Sequence, residues 1–221
     1  MRKMTRIWIT VAAIAVCLGG FQTVLWAATL AGDPETYEIT LHQVRVYNQD
    51  DGAWHVAGTG DLTFDITSAS SGAVVGNYIS GASLPDGTYS KVEVTLSRTL
   101  LIKATVVDTG NTLTGGAGTI YYTTTVQSGG AIVCSTLIGS YALGTSVIPS
   151  SAVLPATETI SGDYLIHTET LATNITVKKG ESRSVLVSFN TSGSVTFENV
   201  APGPVVACYP SAPAITITQI D

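Results

Sequence analysis

The chain has 221 residues, 45% of them apolar and 12% charged, with a formal net charge of −6. That much apolar content and so little charge exclude a disordered tail, which has the reverse composition. The acidic balance argues against nucleic acid as a partner, because no basic footprint is available to meet a phosphate backbone.

Arg2, Lys3 and Arg6 precede an apolar run over residues 7–18, and small residues follow at Ala27, Ala28 and Ala31. This order is that of a secretory signal peptide. Residues 1–31 are expected to be the leader, cleaved after Ala31 or slightly earlier. The protein is then secreted, extracellular or cell-surface, with the periplasm as the other exported compartment. Val16 is too bulky to precede a lipidated Cys17. Left uncleaved, residues 7–30 are nearly long enough to span a bilayer, so membrane contact is expected only through this segment. Removing the leader takes three of ten basic residues and none of sixteen acidic ones, leaving seven against sixteen and a net charge of −9.

Beyond residue 31 the apolar period is two, the mark of strands with one buried face. Tyr37, Ile39 and Leu41 sit on odd positions and Val44 and Val46 on even ones, which predicts a bulge at His42–Gln43. Leu62, Phe64 and Ile66 alternate with polar residues. So do Val92, Val94 and Leu96, and the same phase continues through Leu100, Ile102, Ala104 and Val106. The second stretch is one long bent strand or two strands broken near Arg98. Val185, Val187 and Phe189 repeat the pattern, as do Val195 and Phe197, then Ile215 and Ile217. Between the runs lie turn signals such as Pro85-Asp86-Gly87, where Pro presets φ and Gly tolerates positive φ.

About a dozen short strands at this spacing predict an all-β fold, an antiparallel β-sandwich of Ig-like or carboxypeptidase-regulatory-like type. Residues 32–221 are expected to form a single domain. Residues 110–157, rich in Gly and Ser, read as an elaborated middle: an insertion or small accessory sheet. Without the leader the cysteines are Cys134 and Cys208, and an even pair in an exported chain predicts a disulfide. It would close a loop of 74 residues, worth about 4 kcal/mol in the chain-entropy model. Two buried thiols are the alternative.

Residues 36–97 resemble the N-terminal part of a bacterial exported family catalogued as Domain of Unknown Function 4382. The likeness rests on the opening strand YEITLHQVRVYN, the Trp-containing AWHVAG, the Asp-bearing DLTFDIT, and LPDGTYSKVEVTLS. A second likeness lies in ITVKKGESRSVLVSFN and a late Pro-containing strand. Together they cover about half of the chain after the leader. The resemblance implies a secreted or surface β-sandwich, and no activity, cofactor or site residue.

Several residue groups invite chemistry. Asp108-Thr109-Gly110 follows an apolar strand, as the catalytic triplet of aspartic proteases does, where two carboxylates share a proton. No second copy is present, so only a homodimer would complete that site, with Leu137-Ile138-Gly139 as the companion element. Asn48, Asp50 and Asp51 place oxygen donors in one turn, and calcium is the cofactor such ligands would take. His42, His55 and His167 lack the close spacing that makes a zinc site persuasive. Exposed aromatics would supply a carbohydrate platform, with at most one of Tyr121 and Tyr122 on a given face, while Trp54 and Tyr89 read as core or rim residues. No nucleophile elbow, Walker loop, dinucleotide signature or HExxH motif is present.

The function expected is therefore non-enzymatic: an exported structural protein of the cell surface. Hydroxyl-rich, weakly charged strand edges invite pairing with another chain. They suggest a homopolymer, a filament built by strand donation. Tyr37, Ile39 and Leu41 on the first strand and Ile215 and Ile217 on the last are the candidate assembly residues. The alternative is a secreted carbohydrate- or calcium-binding module.

Overall fold

Alternating β-branched and hydroxyl-bearing residues favour pleated backbone over helix, and strands form wherever the sequence alternates. The computed structural model describes residues 29–67, 84–148, 154, 156–178, 184–200, 205–210 and 214–220. Among these the chain is all-β and antiparallel, with one 3-10 turn at Ile138–Ser140 and no α-helix.

In chain order the strands are β1 (Thr29–Gly32), β2 (Pro34–Asn48), β3 (Ala53–Asp65), β4 (Gly87–Ser97), β5 (Thr99–Asp108), β6 (Thr119–Ser128) and β7 (Ala131–Ser135). Then come β8 (Gly144–Val147), β9 (Glu158–Ser161), β10 (Tyr164–Val177), β11 (Ser184–Asn190), β12 (Val195–Val200), β13 (Val205–Pro210) and β14 (Ala214–Ile220). Twelve of them form one curled sheet in the order β1-β12-β13-β7-β6-β5-β2-β4-β10-β9. In addition, β3 pairs with β2 and β8 with β5, while β11 and β14 form a separate two-stranded sheet.

Two long strands organise the molecule. β1 and β2 are one strand kinked at Asp33, and β4 and β5 are another, broken at Arg98 as the sequence allowed. β1 pairs with β12 while β2 pairs with β5, so the path β1-β12-β13-β7-β6-β5-β2 returns to its starting strand and closes a ring. Beyond the ring, β2 and β4 carry on with β3 on one side and β10 and β9 on the other. The layers come from one sheet curling over itself, so the sandwich-like core needs no second independent sheet.

The register of β2 shifts between Leu41 and Gln43 against both of its neighbours. That bulge keeps Tyr37, Ile39 and Leu41 on the core face together with Val44 and Val46. Tyr37, Ile39, Leu96, Leu100, Ile102, Ala104, Ile132, Val195 and Phe197 build the main core, and Tyr89, Val92, Leu171 and Ile175 a second one. Each large apolar side chain fully buried there contributes about 1.5–3 kcal/mol relative to an exposed position.

One expectation changes. Residues 119–147, read as part of an insertion or accessory sheet, supply β6, β7 and β8 of the main sheet. Gly116, Gly118, Gly129 and Gly130 sit at turns with positive φ, and Tyr121, Thr123 and Ile132 on the strands beside them are buried. Thr29–Ala31, assigned to the leader, lie in β1 opposite Thr196–Glu198 of β12.

Candidate functional site

The turn after β2 takes its shape from three side chains that the sequence offered as calcium ligands. Asn48 is 1% exposed. Its Oδ1 accepts the Asp50 amide at 2.9 Å, and its Nδ2 donates to the Asp86 carbonyl at 3.4 Å. Asp50 Oδ2 accepts the Thr88 amide, and Asp51 Oδ1 the Ala53 amide, both at 2.9 Å. The other Asp51 oxygen lies 2.8 Å from His55 Nε2. These oxygens point at separate backbone amides instead of converging on a point. In this arrangement Asn48, Asp50 and Asp51 fasten β2, β3 and β4 to one another. Among the described residues no group of three or more His, Cys, Asp or Glu side chains could hold a metal ion.

Asp108 has a similar fate. Its carboxylate is fully buried. It accepts the amides of Gly110 and Thr112 on Oδ1, at 3.2 and 2.8 Å, and of Leu113 on Oδ2 at 2.6 Å. Burial pushes its pKa up, but these amides outweigh burial and hold it below the usual carboxylate range. Three amides of its own loop thus hold this carboxylate at the end of β5. Leu137 and Ile138, the companion element, sit in an exposed turn, 68% and 72% accessible.

The candidate assembly residues divide. Tyr37, Ile39 and Leu41 are buried in this chain's own core, and β2 is paired along both edges. That strand therefore has no open edge to donate. Ile215 and Ile217 lie on β14, opposite Phe189 and Val187 of β11, and no other strand pairs with β14 among the described residues. On the ring, β12 is covered on one side by β13 and on the other by β1. Leu30 of β1 packs against the main core. A Cβ on Gly32 would lie 2.7 Å from the Phe197 ring, so this end of the strand fits only because the side chain is missing.

A cleft of about 500 Å³ opens where β6 bulges away from β7. Thr124, Val126, Cys134, Ser135 and Tyr141 are among its lining residues. The Tyr141 hydroxyl donates to Glu35 at 2.5 Å, Lys103 Nζ donates to the same carboxylate at 2.9 Å, and Lys103 stands 4.4 Å over the Tyr141 ring. The tyrosine hydroxyl and the lysine hold Glu35 below its ordinary pKa, and burial with Glu35 beside it pushes Tyr141 up.

Cys134 reaches this cleft half-buried, and Cys208 is fully buried behind it. Both are free thiols, so the disulfide expected between them is not seen. In the β7–β13 register Cys208 faces Ile132 and Ala207 faces Val133, which makes Cys134 the diagonal neighbour of Cys208. Diagonal Cα atoms stand about 7–8 Å apart, beyond the usual span of about 4.4–6.8 Å for bridged cysteines.

No family model, curated protein or solved structure matches the chain. Its chemistry has to be read from its own residues.

The face of β2, β3 and β4 turned away from the core carries a cluster that the sequence did not assemble. Tyr47 and Trp54, cross-strand partners, have ring centroids 5.3 Å apart. The Arg45 guanidinium lies 5.5 Å over Trp54 and Lys91 Nζ 5.6 Å over Tyr47, while Arg45 Nε donates to Glu93 at 2.8 Å. Tyr89, expected to be a core or rim residue, is in the core, with its hydroxyl donating to the Pro85 carbonyl. The signal was legible in principle: Arg45 and Tyr47 share one phase of β2, and the bulge decides which. The three histidines stay apart. His42 pairs with Asp61, His55 with Asp51, and His167 sits between Glu158 at 3.5 Å and Glu169 at 3.6 Å, each against a different ring nitrogen. Among the described residues no helix is long and apolar enough to cross a membrane.

Proposed function

We propose that the chain is an exported, non-enzymatic structural protein of the cell surface that assembles into filaments by strand addition. The observation that carries this reading is the position of β1. Thr29–Ala31 belong both to the leader predicted from sequence and to the strand covering the outer edge of β12. Cleavage after Ala31 removes that cover and takes Leu30 from the core surface, leaving backbone amides and carbonyls ready to pair with an incoming strand. β14 supplies a strand of matching kind. Its seven residues alternate Ile215 and Ile217 with threonines and lie outside the twelve-stranded sheet. The donor is then the last strand of a second copy, and the Asp108 loop, with its carboxylate spent on amides, supports a role without catalysis.

The test compares the chain starting at Gly32 with one that keeps Thr29–Ala31, by size-exclusion chromatography and electron microscopy. Filaments are expected only from the shorter chain, and deletion of residues 214–221 should abolish them. A strictly monomeric profile of the shorter chain at high concentration would overturn the reading.

A second reading, a carbohydrate-binding module, is favoured by the outward Tyr47–Trp54 pair with Arg45, Lys91 and Glu93 beside it. Aromatic rings with fixed polar groups beside them on an outward sheet face suit sugar rings. Binding on a glycan array that disappears in Trp54→Ala would establish it in place of the first.

A further inference from the structure

The two thiols differ in what can reach them. Cys134 lines the open cleft beside the β6 bulge, whereas Cys208 is fully buried among Ile132, Phe197 and Val206 of the core. They are diagonal neighbours across β7 and β13, and the Cys134 thiol points at the Ile132 carbonyl, 3.9 Å away. The registered ladder between β7 and β13 is only two residue pairs long. A ladder so short yields more easily than a long one, and closing a diagonal pair requires it to yield. Bridges closed away from ideal geometry store strain and are more readily reduced.

We propose that Cys134 and Cys208 form a reversible dithiol–disulfide pair, in which Cys134 exchanges with an external disulfide and Cys208 resolves the mixed disulfide. The oxidant is a disulfide, either a small molecule or that of an oxidoreductase. Cys134 loses its proton and its thiolate attacks one sulfur of the reagent, breaking the reagent's S–S bond and releasing one thiolate. The Cys208 thiol then loses its proton and attacks the Cys134 sulfur, and the second reagent thiol leaves. Two electrons pass from the pair to the reagent, whose two thiolates take up the two protons. The order follows from access, because attack needs an approach path to sulfur and a thiolate to form there. The Cys134 side chain beside it and its burial both push the Cys208 thiol up, which agrees with the order set by access.

This pair therefore differs in kind from a static staple. A bridge that only closed a 74-residue loop would resist the glutathione pool, as structural disulfides of exported proteins do. A strained one titrates within that pool. Opening and closing it moves β7 against β13 beside the cleft, where Tyr141 and the β6 bulge are the neighbours that feel the shift.

The test uses the full chain carrying Cys17→Ser, equilibrated without oxygen in mixtures of reduced and oxidised glutathione, then alkylated and mapped by mass spectrometry. The crosslinked fraction is expected to rise and fall reversibly across the series. In Cys208→Ala a glutathione adduct accumulates on Cys134. In Cys134→Ala the adduct on Cys208 forms at least about tenfold more slowly, because that thiol is closed off. Should either variant fail to fold, the cysteine alkylated first in the reduced parent chain decides the order, and Cys134 is expected. A pair that stays reduced at every ratio overturns the proposal. So does a bridge that never reopens, or one in which Cys208 reacts first.

Discussion

Asn48 shows how a residue type can be read correctly and its partner missed. The sequence marks it, with Asp50 and Asp51, as an oxygen donor in a turn. The fold spends those oxygens on the amides of Asp50, Thr88 and Ala53, which no sequence pattern displays. Gly87 belongs to the same arrangement. A Cβ there would collide with the Asn48 carboxamide, its Oδ1 at 2.7 Å, and Asn48 is buried with no room to retreat. Asn48→Ala leaves the Asp50 amide without its acceptor and is expected to cost about 1–3 kcal/mol, measured by urea denaturation. Gly87→Ala should destabilise through the same contact, and added calcium should leave the melting temperature of the parent chain unchanged.

At the scale of strands, alternation was legible and the choice of buried face was not. The phase slip in β2 appears where Leu41 gives way to Gln43, and the break between β4 and β5 falls at Arg98, because both are local events written in the side-chain order. What lies beside a strand is not local. Leu62 alternates as cleanly as Ile102, yet Leu62 on β3 is exposed and Ile102 on β5 is fully buried. β5 has β2 on one edge and β8 and β6 on the other, and its inward face is roofed by the ring. The same ignorance of neighbours made residues 110–157 look like an insertion and made the first strand look available for export. Ile102→Ala is expected to cost about 2–5 kcal/mol, and Leu62→Ala no more than about 0.5 kcal/mol. Chemical denaturation of the two variants side by side distinguishes a strand interior to the fold from one at its margin.

For the whole molecule, the charges that matter are few and act in one direction on each side of neutrality. Glu35, held down by Tyr141 and Lys103, is among the described residues one of three carboxylates kept below their ordinary pKa. The others are Asp51 and Asp108, where burial pushes up but is outweighed by backbone amides and, for Asp51, by His55. A carboxylate whose folded pKa is depressed binds fewer protons than in the unfolded chain. Its stabilisation is present above the unfolded value, about 4, and is lost as pH falls through the folded one. Tyr209 works at the other end: burial and Glu198 push it up to about 12, and Tyr37 and Tyr141 rise for similar reasons. A phenol raised in this way stabilises fully below about pH 10 and loses that contribution as pH climbs through its folded value. Stability should therefore hold a plateau between about pH 5 and pH 9, falling on the acid side through the three carboxylates and on the alkaline side through the tyrosines. Urea midpoints across that range test the shape. Asp108→Asn should lower the plateau and flatten the acid limb, while Tyr209→Phe should flatten the alkaline limb alone. A profile whose two limbs both stay unaltered in these substitutions would overturn this assignment.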